Sequence, residues 1–187
     1  MASALVLAVL LSQLGGKTLA LDVPKSTVEF RVNHKLHKVE GRANAVEAKA
    51  AVGEDGKILA MVRVPAASLD SGDANRDANM RDVLEVGKYP FVVYKAVAQL
   101  PSPLPRGAAL DVTMKGELEL HGVKRPLEIP AKVEIGDDGT VRVRGTTHVS
   151  LDAYHIERPS LLLVKLDDDC RIDVNLVMHD AKVLSSR

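Results

Sequence analysis

Along most of the chain apolar and polar residues alternate one by one, the period that sets successive side chains on opposite faces of a β-strand. In the clearest run, 110–120, Leu110, Val112, Met114, Leu118 and Leu120 share one face with Gly116, while Asp111, Thr113, Lys115, Glu117 and Glu119 take the other. The next run repeats the rule, with Val123, Leu127, Ile129, Ala131, Val133 and Ile135 set against Lys124, Glu128, Lys132 and Glu134. Val141, Val143, Val149 and Leu151 then oppose Arg142, Arg144, His148 and Asp152, and Ile172, Val174, Leu176 and Met178 oppose Arg171, Asp173 and Asn175. Each run predicts a strand with one dry and one wet face, the usual pattern of antiparallel sheets.

The earlier runs are less regular. Val28, Phe30 and Val32 alternate with Glu29, Arg31 and Asn33, and Ile58, Ala60, Val62 and Val64 follow a turn at 53–57. Between them Val39, Gly41, Ala43 and Ala45 give way to Val46, Ala48 and Ala50, a slip of one residue that predicts a β-bulge and hence a bent, twisted strand. Residues 89–100 are apolar on both faces, which predicts a strand covered on its outside by another element. Turn-forming residues at 53–56, 101–107, 121–122 and 136–139 separate the runs, for a total of eight strands. The segment from Ala74 to Glu85 instead predicts a helix, capped by Asp73, with Met80, Val83 and Leu84 on one face. It is placed to cover one end of a sheet or the outside of the 89–100 strand.

Eight antiparallel strands with one dry face make either a sandwich or a closed barrel. Long strands, the bulge and the lack of an obvious edge strand favour closure. Composition sharpens this picture: 46% of residues are hydrophobic but only 3% aromatic, so the interior is aliphatic. Gly41, Ala43, Ala45, Ala60, Gly116, Ala131 and Gly145 fall on inward faces, and only Phe30, Phe91 and Tyr89 offer bulk there. Such a barrel has room left inside, whereas in a flattened sandwich the same small residues would let two sheets approach.

Lys plus Arg and Asp plus Glu both number 25, so no basic excess exists to bind nucleic acid. Cys170 stands alone, cannot form an internal disulfide, and reads as a small buried strand residue. Residues Ala2 to Leu14 form an apolar run too short to span a bilayer, followed by Gly15, Gly16 and Lys17. We read 1–20 as a secretory signal peptide, cut before Leu21, and 21–187 as one domain. The usual basic start is missing, and the competing reading is an N-terminal strand or helix.

Candidate chemistry is sparse. His34 and His37, three apart in a strand or turn, point to opposite faces and are not a ready metal clip. Arg76 and Asp77 read as a helix-start pair tying the helix to neighbouring loops. Asp167, Asp168 and Asp169 read as a solvated acidic loop. No nucleophile elbow, phosphate loop or dinucleotide fingerprint is present. Neither a metal nor a cofactor is expected.

Three segments in order resemble the YceI-like family. The first is Phe30-Arg31-Val32-Asn33-His34 with Gly41. The second is Ser68-Leu69-Asp70-Ser71-Gly72-Asp73, then Arg76-Asp77, Met80-Arg81 and Lys88-Tyr89-Pro90-Phe91. The third is Gly116-Glu117-Leu118-Glu119-Leu120-His121-Gly122-Val123-Lys124-Arg125-Pro126-Leu127. The resemblance covers about 21–181. It implies an all-β fold, an eight-stranded antiparallel lipocalin-like β-barrel with one short helix, exported to the periplasm or secreted, holding a long isoprenoid such as a polyprenyl quinone or phenol. Arg42, Asn79 and His155 depart from the family pattern, so fold carries over better than ligand identity.

Two functions follow as expectations. In the first, a binding protein for transport or storage lays an isoprenoid tail against Phe30, Val32, Val39, Gly41, Val62, Phe91, Val112 and Val143, with His34 as a further ligand-binding residue and a polar head at the mouth. In the second, the barrel is an enzyme on a lipid or small apolar substrate, with His34 or His121 as base. A stress-related barrel packed solid, without ligand, is a third reading. Transient membrane contact and a homodimer stand as open partner readings.

Overall fold

The computed structural model describes residues 17–33, 38–101, 107, 109–158, 160–161 and 164–181. Its strands are β1 (Lys17–Leu21), β2 (Thr27–Asn33), β3 (Lys38–Ala43), β4 (Glu47–Val52), β5 (Lys57–Pro65), β6 (Leu69–Asp70), β7 (Phe91–Gln99), β8 (Ala109–Leu120), β9 (Val123–Ile135), β10 (Val141–Ser150), the short pair β11 (Ser160–Leu161) and β12 (Val164–Lys165), and β13 (Asp169–Asp180). The helix α1 spans Ala74–Val83. Three pairs of short strands, β1 with β2, β3 with β4 and β5 with β6, are each one stave of the wall broken in the middle. With β7, β8, β9, β10 and β13 they make eight antiparallel staves.

Each stave pairs with its neighbour in sequence, and the ring closes where β13 meets both halves of the first stave: Cys170–Asn175 against β2 and Met178–Asp180 against β1. The break between those halves is held by the chain itself. The Asp22 amide donates to the Val177 carbonyl at 2.8 Å and the Val177 amide donates to the Ser26 hydroxyl at 3.0 Å. The phase slip between Ala45 and Val46 appears as the break between β3 and β4, where the Asn44 side-chain amide donates to Asp70 at 2.8 Å. A barrel wall must bend, and breaks of this kind let it do so.

At the hairpin joining β8 and β9, His121 and Gly122 both have positive φ, 52° and 72°, the two-residue turn whose twist matches its strands. Helix α1 is capped as its sequence implies, with the Asp73 carboxylate accepting from the Arg76 amide at 2.9 Å. The buried Asp77 carboxylate accepts from the Ser71 amide and hydroxyl, at 2.8 and 2.6 Å, which ties the helix to the strand end before it. The chain from α1 onward closes one end of the barrel. Leu84 is buried there with Val32, Leu118, Leu120, Val149, Tyr154, Ile156 and Cys170, and Met80, Val83 and Val86 pack against them. The helix therefore does not cover β7, whose outer face keeps Phe91 and Val97 exposed. Outward charges pair across strands, as in Arg31 with Glu40 and Lys132 with Asp111, and contribute little each at such exposure.

Candidate functional site

Inward faces that are merely apolar would fill an eight-stranded barrel; here small residues leave it hollow. In register across four adjacent staves lie Ala50, Ala60, Ala96 and Gly116. Gly116 is small for a local reason: a side chain there would run into the Lys95 carbonyl and Ala96 of the neighbouring β7. Close by, the Tyr94 ring reaches from β7 toward β9, and its hydroxyl lies 2.9 Å from the Met114 carbonyl and 3.0 Å from that of Leu127, the cross-strand partner of Gly116. Burial of the phenol, with the nearby Glu128 charge, pushes Tyr94 up to about 12.

The result is a lumen of about 1240 Å³ walled by Leu19, Ala48, Ala50, Ile58, Ala60, Val62, Val64, Val92, Tyr94, Met114, Ile129, Ala131, Val133, Val141, Val143, Leu176 and Met178, among others. Charged lining residues gather at one end, where Lys17, Lys49, Glu54 and Asp180, with Thr18, Gly53 and Gly139, mark the mouth. Among the described residues the opposite end is filled. There Val92, Tyr94, Leu118, Leu127 and Ile172 belong both to the lumen wall and to the cluster sealed by α1. A cavity of about 150 Å³ admits one benzene ring. The lumen thus has room for about eight, at most on the order of 50 carbon atoms.

Of the residues anticipated to touch a ligand, Val62 and Val143 line this lumen. Val32 lies in the plug, and Phe30 packs against it. Val39 pairs with Val32, and Gly41 faces Phe30, where a side chain on Gly41 would overlap the ring. Val112 is buried with Ala96, Ala98, Met114 and Val133 on the same wall. Phe91 lies on the outer surface, its ring 4.6 Å from the Arg63 guanidinium. His34 lies outside the described residues. The lumen residues that the sequence reading missed, chiefly Leu19, Ala48, Ala50, Ile129 and Leu176, carried a signal in their small or aliphatic side chains at period two. Their depth depends on strand register, which alternation does not encode.

The described groups considered for catalysis sit away from the lumen. His121 is held at the closed end, its ring nitrogens each 3.0 Å from an acceptor, the Tyr154 carbonyl and the Glu85 carboxylate, with the Tyr89 ring edge-on at 4.9 Å. Burial, with the neighbouring Asp169 charge, pushes the Cys170 thiol up to about 11, so it is no nucleophile near neutrality. Asp77 ties the helix start to Ser71, whereas Arg76 contributes only its amide to the Asp73 cap, its side-chain Nε being buried without a hydrogen-bond partner among the described residues. Asp167 and Asp168 brace loops: the Asp167 amide donates to the Asn33 carbonyl, and the Asp152 amide to the Asp168 carboxylate at 2.7 Å. Asp169, at the start of β13, contacts His148 at 2.8 Å.

The expected signal boundary meets a strand. Residues 17–20 belong to β1, paired with β4 and β13, and Leu19 is 5% exposed.

Comparison with known proteins agrees with this architecture. A UPF0312 protein of Vibrio parahaemolyticus is 33% identical over 143 residues, covering 70% of this chain and 72% of the relative. One from Shewanella denitrificans is 31% identical over 157 residues, 76% of this chain and 78% of its own. Among solved structures, a polyisoprenoid binding domain from Saccharophagus degradans superposes with a TM-score of 0.73 at 18% identity, over 87% of this chain and 98% of that one. BcnA of Burkholderia cenocepacia follows at 0.71 and 18%, over 84% and 98%. At such identity these two show a shared fold. The YceI-like domain model matches residues 19–178, from the first wall strand to the last, and the chain belongs to the YceI-like family.

Proposed function

We propose that this protein is a carrier that holds one long isoprenoid chain, of the polyprenyl quinone or phenol type, in its barrel lumen within the periplasm or outside the cell. The observation that carries the reading is the lumen itself: about 1240 Å³, filled at one end among the described residues, open at the other, with an almost wholly aliphatic wall. Each buried methylene is worth about 0.8 kcal/mol, so a long tail supplies ample driving force without any chemistry. The capacity exceeds what a common fatty acid of sixteen or eighteen carbons fills, and favours a long polyprenyl tail. The solved neighbour described as a polyisoprenoid binding domain supports the same class of ligand. An enzyme is the weaker reading, because His121 spends both ring nitrogens on holding the plug.

Export belongs to the proposal and meets a structural requirement. A mature chain starting at or before Lys17 keeps β1 and the wall whole, whereas one starting at Leu21 loses most of that strand. Two measurements test the reading: delipidated protein incubated with vesicles carrying a polyprenyl quinone is expected to withdraw it at one molecule per barrel, and the mature N-terminus from native cells is expected near Lys17. No uptake of quinone, or an intact Met1 on protein in the cytoplasm, overturns the corresponding half.

A further inference from the structure

The inward face of β10 reads Val141, Val143, Gly145, Thr147, Val149, and one of these does not belong to an oil-filled tube. Thr147 is 7% exposed and lines the lumen. It lies at the blind end, paired across the ladder with Ile172, which packs against the plug. Its neighbour Thr146 points outward and gives its hydroxyl to Asp173 at 2.6 Å. The Thr147 hydroxyl, by contrast, has no hydrogen-bond partner among the described residues. Facing the lumen, it loses water only when a ligand fills that space; hydrocarbon packed against it without a partner would then be destabilising, and valine fills nearly the same volume without that cost. The wall near the plug holds a second oxygen with capacity to spare. Tyr94 has one proton to share between two carbonyls, so its phenolic oxygen keeps acceptor capacity.

We propose that the blind end of the lumen is a polar subsite centred on Thr147, built for the oxygen of a ligand that enters head first, a hydroxyl or carbonyl at the end of an isoprenoid chain, with the tail trailing toward the mouth. This rests on the carrier reading above and assigns the direction in which the ligand lies. Thr147 both donates and accepts, so it serves an alcohol, a phenol or a quinone carbonyl. A ligand with its head at the mouth would leave that hydroxyl facing hydrocarbon.

The test uses delipidated full-chain protein and two probes, octaprenol and the same C40 chain ending in a methyl group, with binding measured by calorimetry in detergent below its micellar concentration. Wild-type protein is expected to prefer the alcohol by about tenfold, the worth of one hydrogen bond in a dry site. Thr147→Val is expected to bring the ratio close to one while hydrocarbon affinity holds or rises. Thr147→Ser, which keeps the hydroxyl, is expected to retain the preference and serves as the second variant should valine disturb the fold. An undiminished preference in folded Thr147→Val, its loss in folded Thr147→Ser, or no preference in the wild type overturns the subsite while leaving the carrier intact. Failure of the wild type to bind either probe overturns the carrier reading and the subsite together.

Discussion

Ala60→Phe places a ring in the lumen where the wall is thinnest in side chains, beside Ala50 and Ala96. The lumen continues beyond it past Val62 to Val64, four residues further along β5. At about 3.3 Å per residue that is about 13 Å of strand. Inclined at about 40° to the barrel axis, it spans about 10 Å of lumen. An extended chain advances about 1.2 Å per bond, so about eight tail atoms lose their place. At about 0.8 kcal/mol each the loss is about 6 kcal/mol, or about four orders of magnitude in Kd. The ring enters empty space, so the fold is expected to stand, with a melting temperature within a few degrees of wild type. Val97→Phe adds the same ring to an exposed position on the outer face and is expected to leave binding unchanged. The assay is recovery of octaprenol from vesicles by delipidated protein, quantified after organic extraction. Binding of folded Ala60→Phe within threefold of wild type would refute the placement of the tail in this lumen.

Three further outcomes follow from the same geometry. Gly41→Ala forces a methyl into the Phe30 ring and the Asp70 carbonyl; a loss of about 1–3 kcal/mol is expected by urea denaturation, and an unchanged midpoint would show that the plug yields freely. Cys170 is expected to resist alkylation at pH 8 in the native protein and react fully in denaturant, since burial keeps its thiol protonated; rapid native labelling would contradict the sealed end. Tyr94 holds its proton to about 12 in the folded state against about 10 when unfolded. The unfolded chain releases that proton first, so stability is intact below about pH 10 and falls as pH rises toward 12. Tyr94→Phe is expected to flatten that part of an alkaline stability profile; an identical slope would refute it.

Much of the barrel was legible because alternation is a local signal: β8, β9, β10 and β13 appear where the wet and dry residues placed them, and the slip after Ala45 located a real break in the wall. The helix was legible from its cap. The lumen was less so. On β7 valines occupy both faces, so alternation does not set the phase. Phe91, read as inward, follows Pro90 onto the outer surface beneath Arg63, while Tyr94 takes the inward position. Gly41 was small for the sake of the Phe30 ring, not of a ligand. Which barrel end is plugged depends on where α1 packs, and no spacing along the chain reveals that. Residues 17–20 read as the end of a leader because apolar and small residues suit both a signal peptide and an inner wall strand; in the structure they pair with β4 and β13.

The central claim is that the lumen holds an isoprenoid, and the most direct measurement is mass spectrometry of an organic extract from protein purified out of its native cells without added lipid. The account predicts one predominant polyprenyl compound at close to one molecule per barrel, absent from a parallel extract of Ala60→Phe. A lipid-free wild-type protein that also fails to take up polyprenyl quinone, or an extract identical in the two proteins, would contradict it.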